Sequence, residues 1–130
     1  MILQKMFEPA TIKGLKVKNR LVVPAMHTNL GNRDEGITDR AIEYYLARAK
    51  GGFGMVGVGI IDSHPFEWSS PLELLLQNKQ HVRRHAELVK AAKDYGTVIY
   101  AQIGIRRIWP LHEMRTFPKL STIPAELIER

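Results

Sequence analysis

The stretch FGMVGVGII, residues 53–61, is apolar at every position and carries no charge. A strand with one face in water alternates apolar and polar side chains, whereas a strand covered on both faces is apolar throughout. The stretch therefore predicts a buried strand of a parallel sheet. Because parallel strands need long crossover connections, usually helices, helical patterns are expected on both sides of it.

Helical patterns do flank the stretch. Upstream, Thr38 is a good N-cap and Gly51 a stop, and between them apolar residues recur every three or four positions: Ala41, Ile42, Tyr45, Leu46 and Ala49. Downstream, a second helix is predicted over residues 79–95, with Gly96 as its stop. Its inward face is predicted to comprise Val82, Ala86, Val89 and Ala92.

Two further strands complete the pattern. Residues 21–26 predict the first buried strand, which should end near Pro24 because proline has no N–H for a sheet ladder. Residues 97–103 predict the third strand. A small hairpin is predicted around Lys13 and Gly14, and a third helix from Pro124. The order strand, helix, strand, helix, strand indicates a parallel α/β protein.

Loop lengths locate the expected site. The loops that follow the three strands are long, covering residues 27–37, 62–78 and 104–121, whereas the turns at the opposite end are short. Functional groups of such folds gather at the carboxyl ends of the strands. We therefore predict a site built from Met26, His27, residues 60–62 and Gln102.

Composition limits the chemistry. The 130 residues carry 19 Lys and Arg against 13 Asp and Glu, a formal charge of +6, and no Cys. Disulfides, thiolate metal sites, iron–sulfur clusters and Cys nucleophiles are excluded within these residues, so redox chemistry needs a bound organic cofactor. The positive charge suits a phosphorylated ligand or nucleic acid. Neither a membrane span nor a signal peptide is evident, so a cytoplasmic protein is expected.

Polar residues at the strand ends are the candidate ligand contacts. Gln102 is an amide near the end of an apolar strand, where it needs polar partners. A planar heterocycle with alternating C=O and N–H groups would satisfy both halves of the amide, and loop backbone would serve equally well. His27 lies at the predicted mouth, where it would bind a substrate oxygen or an anionic cofactor edge, or be incidental. Asp62 and Glu67 are too loosely spaced for an acid–base pair.

His81 and His85 are one helical turn apart, which is a metal-binding spacing. Arg83 and Arg84 between them repel a cation, so a solvated helix face is favoured over a metal site. No glycine-rich dinucleotide fingerprint follows the first strand, and no aromatic or recognition-helix pattern supports nucleic acid. Three glycines in the central predicted strand allow close packing or the close approach of a ligand: Gly54, Gly57 and Gly59.

Four runs of sequence resemble, in order and spacing, the old yellow enzyme family of NADH:flavin oxidoreductases. They are LKVKNRLVVPAMHT at 15–28, GITD at 36–39, YYLARAKGG at 44–52 and YAQI at 100–103. The step MHT at 26–28 is most similar to the branch with 2,4-dienoyl-CoA reductase, 2-enoate reductase and trimethylamine dehydrogenase. The resemblance implies a (β/α)8 barrel with FMN across its carboxyl-terminal mouth. Since such a barrel needs roughly 250 residues, residues 1–130 would be the N-terminal part of one FMN-binding domain.

The resemblance also implies a set of FMN-binding positions: Pro24, Ala25, Met26, His27, Gly59, Ile60 and Gln102. The first three would back the flavin, and the amide would bond its pyrimidine side. His27 would lie near the reactive edge, as the one catalytic candidate. Ile105 stands where many members have a histidine, so the role of that histidine is not transferred. The remaining family sites, and any iron–sulfur cluster, would need residues beyond 130.

Three functions follow from these observations. The first is an FMN-dependent oxidoreductase that passes hydride from NAD(P)H through the flavin to an activated C=C bond of enoate or dienoyl type, as part of a complete barrel. The second is a truncated, non-catalytic fragment that serves as a structural or interaction module, and a nucleic-acid binder ranks third. We expect a small-molecule substrate, no nucleic acid or membrane partner and a homo-oligomer. The 130 residues alone are expected to be inactive.

Overall fold

The N-terminal hairpin forms as its sequence predicts. In a computed structural model, which describes residues 2–63 and 71–104, a 3-10 helix at Ile2–Phe7 leads into β1 (Ala10–Ile12) and β2 (Leu15–Val17). The two strands pair antiparallel. Lys13 and Gly14 both have positive φ, 45° and 86°, as the central residues of a tight type I′ turn require.

A parallel sheet of four strands follows the hairpin. The strands are β3 (Val22–Val23), β4 (Met55–Asp62), β5 (Leu74–Leu75) and β6 (Val98–Gly104). Strand β4 is central: β6 pairs along one edge, while β3 pairs with the start of the other edge and β5 with its end. The apolar stretch at 53–61 is therefore the central strand, and the prediction is confirmed. The short strand β5 lies within the predicted second loop.

Two helices cover one face of this sheet. Helix α1 (Asp39–Lys50) begins at Thr38, whose side chain accepts a hydrogen bond from the Ala41 N–H at 3.2 Å, as predicted. Helix α2 (Lys79–Lys93) begins at Asn78, which accepts from the His81 N–H at 2.9 Å. The core lies between the helices and β4, and its main members are Ala41, Tyr45, Leu46, Ala49, Val56, Val58, Ile61, Leu88 and Ala92.

The first strand is shorter than predicted. Only Val22–Val23 pairs parallel with β4, because Pro24 has no N–H to continue the ladder. The chain then changes direction, and Met26 forms an isolated antiparallel bridge with Gly59. The prediction that the strand would end near Pro24 is thus confirmed.

The predicted inward face of α2 is confirmed at Ala92, which is buried, and wrong at Val82 and Ala86, which are exposed. Val82 is 55% exposed, whereas the residues buried on this helix are His81, Leu88 and Ala92. The phase differs because the His81 imidazole is satisfied on both sides: Nδ1 accepts from the Gln77 N–H at 3.2 Å, and Nε2 lies 3.0 Å from the Arg33 carbonyl oxygen. A polar side chain with both ring nitrogens paired is buried at little cost. His81 is therefore a core residue rather than part of a solvated face.

At the amino end of the sheet, two side chains donate hydrogen bonds to backbone carbonyls. The Asn19 amide donates to the Gly52 carbonyl at 2.8 Å, and the Thr97 hydroxyl donates to the Phe53 carbonyl at 2.8 Å. Both acceptors lie in the turn between α1 and β4. Short, fastened turns at this end leave the opposite end of the sheet for the long loops.

The helix predicted from Pro124 lies outside the described residues. Within the part of the chain that is described, no helix combines the length and the apolar character needed to cross a lipid bilayer.

Candidate functional site

The carboxyl ends of β3, β4 and β6 meet at Gly59. Met26, just beyond β3, bridges to Gly59 in β4. A Cβ atom built on Gly59 would lie 2.8 Å from the Gln102 carbonyl oxygen and 2.9 Å from the Gln102 Cβ in β6. The structure therefore brings together Met26, Gly59 and Gln102, three of the predicted site residues, with Ile60 next to them.

Gly59 is required by this arrangement. Its φ is +151°, and the β4–β6 register shifts between Val58 and Ile61, which marks a bulge in the central strand. A side chain here would strain the backbone and collide with the main chain of β6. The glycine in this strand therefore serves close backbone packing, one of the two roles that the sequence left open.

Gln102 is exposed rather than buried, which corrects the expectation from its strand. Strand β6 pairs with β4 along one edge, and Ile103 beside it is 49% exposed. The amide at residue 102 is accordingly directed into an open region and remains available to a ligand. Its donors and acceptor suit a polar heterocyclic edge.

A tyrosine that the sequence analysis did not single out closes the same surface. The Tyr100 hydroxyl donates to the Val23 carbonyl at 3.2 Å, so its side chain crosses β4 from β6 to β3. It crosses at Gly57, where a built Cβ would lie 2.6 Å from the phenol ring and 2.6 Å from the Ala25 nitrogen. Tyr100 could be found only from the pairing of Gly57 with Tyr100 across the strands. The sequence alone does not show that pairing.

The loop after β3 places His27 against a buried carboxylate. The His27 side chain is 40% exposed, and its Nε2 atom lies 3.6 Å from Oε1 of Glu73, which is fully buried next to β5. Pro24 is exposed and Ala25 half-buried, which leaves this short segment accessible beside Met26. Glu73 was missed because nothing in its local sequence distinguishes it from a surface glutamate.

A buried phenol supports the site from the helix side. Tyr45 of α1 was predicted as a core residue, and it is 1% exposed. Burial raises the pKa of the Tyr45 phenol, while the neighbouring Thr28 side chain and Gly59 backbone oppose part of that rise. The Tyr45 hydroxyl therefore lies directly beneath the backbone where β3 and β4 meet.

Neither the carboxylates Asp62 and Glu67 nor the pair His81 and His85 is assigned a site. Asp62 is buried at the end of β4, and Glu67 lies outside the described residues. No cluster of three or more metal-ligating side chains occurs in the described ranges. His85 binds the Leu75 carbonyl oxygen through Nε2 at 3.2 Å, and burial lowers its pKa. A shallow concavity at the hairpin, lined by Lys16 and Arg20 among others, contains none of the predicted site residues.

The residues present at the strand ends fit a flavin. Met26 is 46% exposed and offers an apolar surface, and the exposed Gln102 amide offers a donor and an acceptor beside it. Between them the Gly59 position carries no side chain that would obstruct a flat ring. An apolar plate flanked by one amide is the combination that a planar, polar-edged heterocycle needs.

Comparison with known proteins agrees with this geometry. The model of the NADH:flavin oxidoreductase / NADH oxidase family matches residues 5–118. The NADH oxidase of Thermoanaerobacter brockii is 34% identical over 99 residues, which cover 75% of this chain and 15% of that protein.

Two solved structures share the fold. Old yellow enzyme from Pichia sp. AKU4542 superimposes with a TM-score of 0.70 at 22% identity, over 76% of this chain and 26% of that one. A 2-naphthoyl-CoA reductase superimposes with a TM-score of 0.71 at 30% identity, over 77% of this chain and 15% of that one. The chain therefore spans 15% to 26% of the length of these relatives. Its strands and helices are the first units of a (β/α)8 barrel, and the chain belongs to the NADH:flavin oxidoreductase / NADH oxidase family.

Proposed function

We propose that this chain is the N-terminal part of an FMN-binding barrel domain, residues 1–130, in an NAD(P)H-dependent oxidoreductase. The observation that carries the proposal is the meeting of Met26, Gly59 and Gln102 at the carboxyl ends of three parallel strands. Family membership supports the choice of FMN over other planar ligands.

Different residues of this chain would contact different parts of FMN. Pro24, Ala25 and Met26 back the ring with apolar surface, and the backbone at Gly59 and Ile60 lets the ring approach β4 closely. Gln102 bonds the pyrimidine edge through its amide. His27 lies on the loop beside Met26, where its imidazole would contact a substrate oxygen or the edge of the flavin.

When bound, FMN would supply hydride transfer from NAD(P)H to one carbon of an activated C=C bond, and the other carbon would take a proton from water. We propose an enoate or dienoyl thioester as the substrate class. The 2-naphthoyl-CoA reductase supports this choice, because its name denotes a conjugated acyl-CoA substrate. Cytoplasmic location and a homo-oligomeric state remain predictions.

The complete protein tests the proposal. After purification, its visible spectrum should show a bound flavin, and the flavin released on denaturation should be FMN. Under anaerobic conditions NADH or NADPH should bleach the flavin, and an enoyl thioester should restore its colour with formation of the saturated product. A protein without flavin, or one that releases unphosphorylated riboflavin, would contradict the assignment. Sequencing past Arg130 separates the enzyme from the non-catalytic module, because only the enzyme needs five more strand–helix units in frame.

A further inference from the structure

Glu73 is a charged side chain buried at the carboxyl end of the sheet. It directly precedes β5, and its Oε1 atom lies 3.6 Å from Nε2 of His27. That distance is longer than a hydrogen bond, so the contact between the two groups is electrostatic. A buried carboxylate is costly unless opposite charge or donors lie near it, and the His27 ring is one polar group that does.

The backbone holds the Glu73 carboxylate against the loop that carries His27. The Gly31 N–H donates to the Leu72 carbonyl at 2.8 Å, and a Cβ atom built on Gly31 would lie 1.9 Å from the Glu73 carbonyl oxygen. The Leu75 N–H donates to the Gly36 carbonyl at 2.9 Å. The loop after β3 and the segment at β5 are thus packed backbone to backbone on both sides of Glu73. This packing fixes the backbone on both sides of Glu73 against the loop that carries His27.

We propose that Glu73 is a positioning residue for His27. Its carboxylate favours a proton on Nε2, the nearer ring nitrogen, because an N–H is attracted to the negative charge and a lone pair is repelled by it. Nδ1, on the other side of the ring, is then the nitrogen left for a ligand. His27 then presents Nδ1 to the ligand in one ring orientation, instead of alternating between Nδ1 and Nε2. This inference rests on the proposed function, because it takes FMN to be that ligand.

A double-mutant cycle in the complete, FMN-loaded protein tests the coupling. Glu73→Gln keeps the size of the side chain and removes its charge. We expect it to raise the FMN dissociation constant about three- to tenfold, the range expected for a charged contact that is partly exposed to water. In the His27→Ala background the same substitution should change the constant less than about twofold. An equal effect in both backgrounds would show that Glu73 does not act through His27.

Glu43→Gln is the matched control. Glu43 pairs with Lys50 at 4.0 Å on the exposed side of α1, so the substitution removes a carboxylate from a comparable ion pair away from the site. We expect no change in FMN binding from it. If Glu43→Gln weakens FMN binding as much as Glu73→Gln does, the effect is one of net charge and the proposal is overturned.

A direct measurement on the unmutated protein does not depend on how the variants fold. The ¹⁵N shifts of the His27 ring, assigned by their loss in His27→Ala, should show the proton on Nε2. A proton on Nδ1 with a bare Nε2 would overturn the proposal. This measurement can be made with or without flavin, so a protein that binds no FMN would reject the proposed function while the pairing of His27 with Glu73 is still decided.

Discussion

Gly59→Ala is the substitution that tests the meeting of the three strands most directly. The new methyl group would lie 2.8 Å and 2.9 Å from two atoms of Gln102, one of them a main-chain oxygen that cannot rotate away. Overpacking of this kind costs about 1–3 kcal/mol. The positive φ of +151° adds about 1 kcal/mol or more for a residue with a side chain. We therefore expect the free energy of unfolding to fall by about 2–4 kcal/mol, with FMN retention falling as well.

Gly14→Ala separates the two contributions. Gly14 also has a positive φ, 86°, but a Cβ atom built on it meets nothing within 4 Å. This control should lose only the backbone contribution, about 1 kcal/mol, and should keep FMN. Both losses would be measured from the urea dependence of the circular dichroism of the complete, FMN-free protein. If the two substitutions cost the same, β6 does not approach Gly59 as closely as the structure places it, and the reasoning about the site fails.

Three further predictions concern the amide, a buried histidine and the isolated chain. Gln102→Leu should raise the FMN dissociation constant about tenfold, since an unmade buried bond costs about 1–3 kcal/mol, and unchanged FMN affinity and potential would remove Gln102 from the site. His85 has a pKa lowered by burial from its usual 6.5, so its stabilising contribution is present above pH 6.5 and is lost as pH falls through the lower folded value. His85→Gln should flatten this loss in thermal melts between pH 7 and pH 5, and an unchanged slope would assign the loss elsewhere. The isolated 130 residues expose apolar side chains on the open sheet, including Val22, Met26 and Ile103, at 46%, 46% and 49%. They should therefore form oligomers or aggregates without FMN, and a monodisperse, FMN-loaded monomer in light scattering would contradict this.

The parts of the fold that the sequence predicts are those determined by neighbours along the chain. The uncharged stretch at 53–61 needs only its own composition to indicate a central strand, and Thr38 needs only the residues after it to start α1. The inward face of α2 could not be obtained in this way. His81 is buried because the Arg33 carbonyl, 48 residues away in sequence, lies 3.0 Å from its ring. The spacing of apolar residues along the sequence does not reveal a contact of this kind.

The same distinction between local sequence and distant contacts applies to the site residues. Met26 and Gln102 were predicted because strand ends meet wherever parallel strands pair, which is a property of the topology, whereas Gly59 was expected only from the family resemblance. Tyr100 and Glu73 were missed because their roles depend on the register of β6 against Gly57 and on the packing of the β5 segment against the loop after β3. Gln102 is exposed, although the apolar strand around it predicted burial. Burial of a strand depends on partners at both edges, and among the described residues β6 pairs with β4 at one edge.

Tyr45 connects the hydrophobic core to the candidate site. Its phenol is buried in the α1 face of the core, yet its hydroxyl lies beside Thr28 and the Gly59 backbone, on the two segments that form the candidate FMN surface. Because α1 is capped at Thr38 and packed through Ala41 and Ala49, it cannot shift without moving this phenol. The bulge at Gly59 is therefore held from below by the helix and from the side by β6. The candidate FMN surface keeps its shape only if both supports are present.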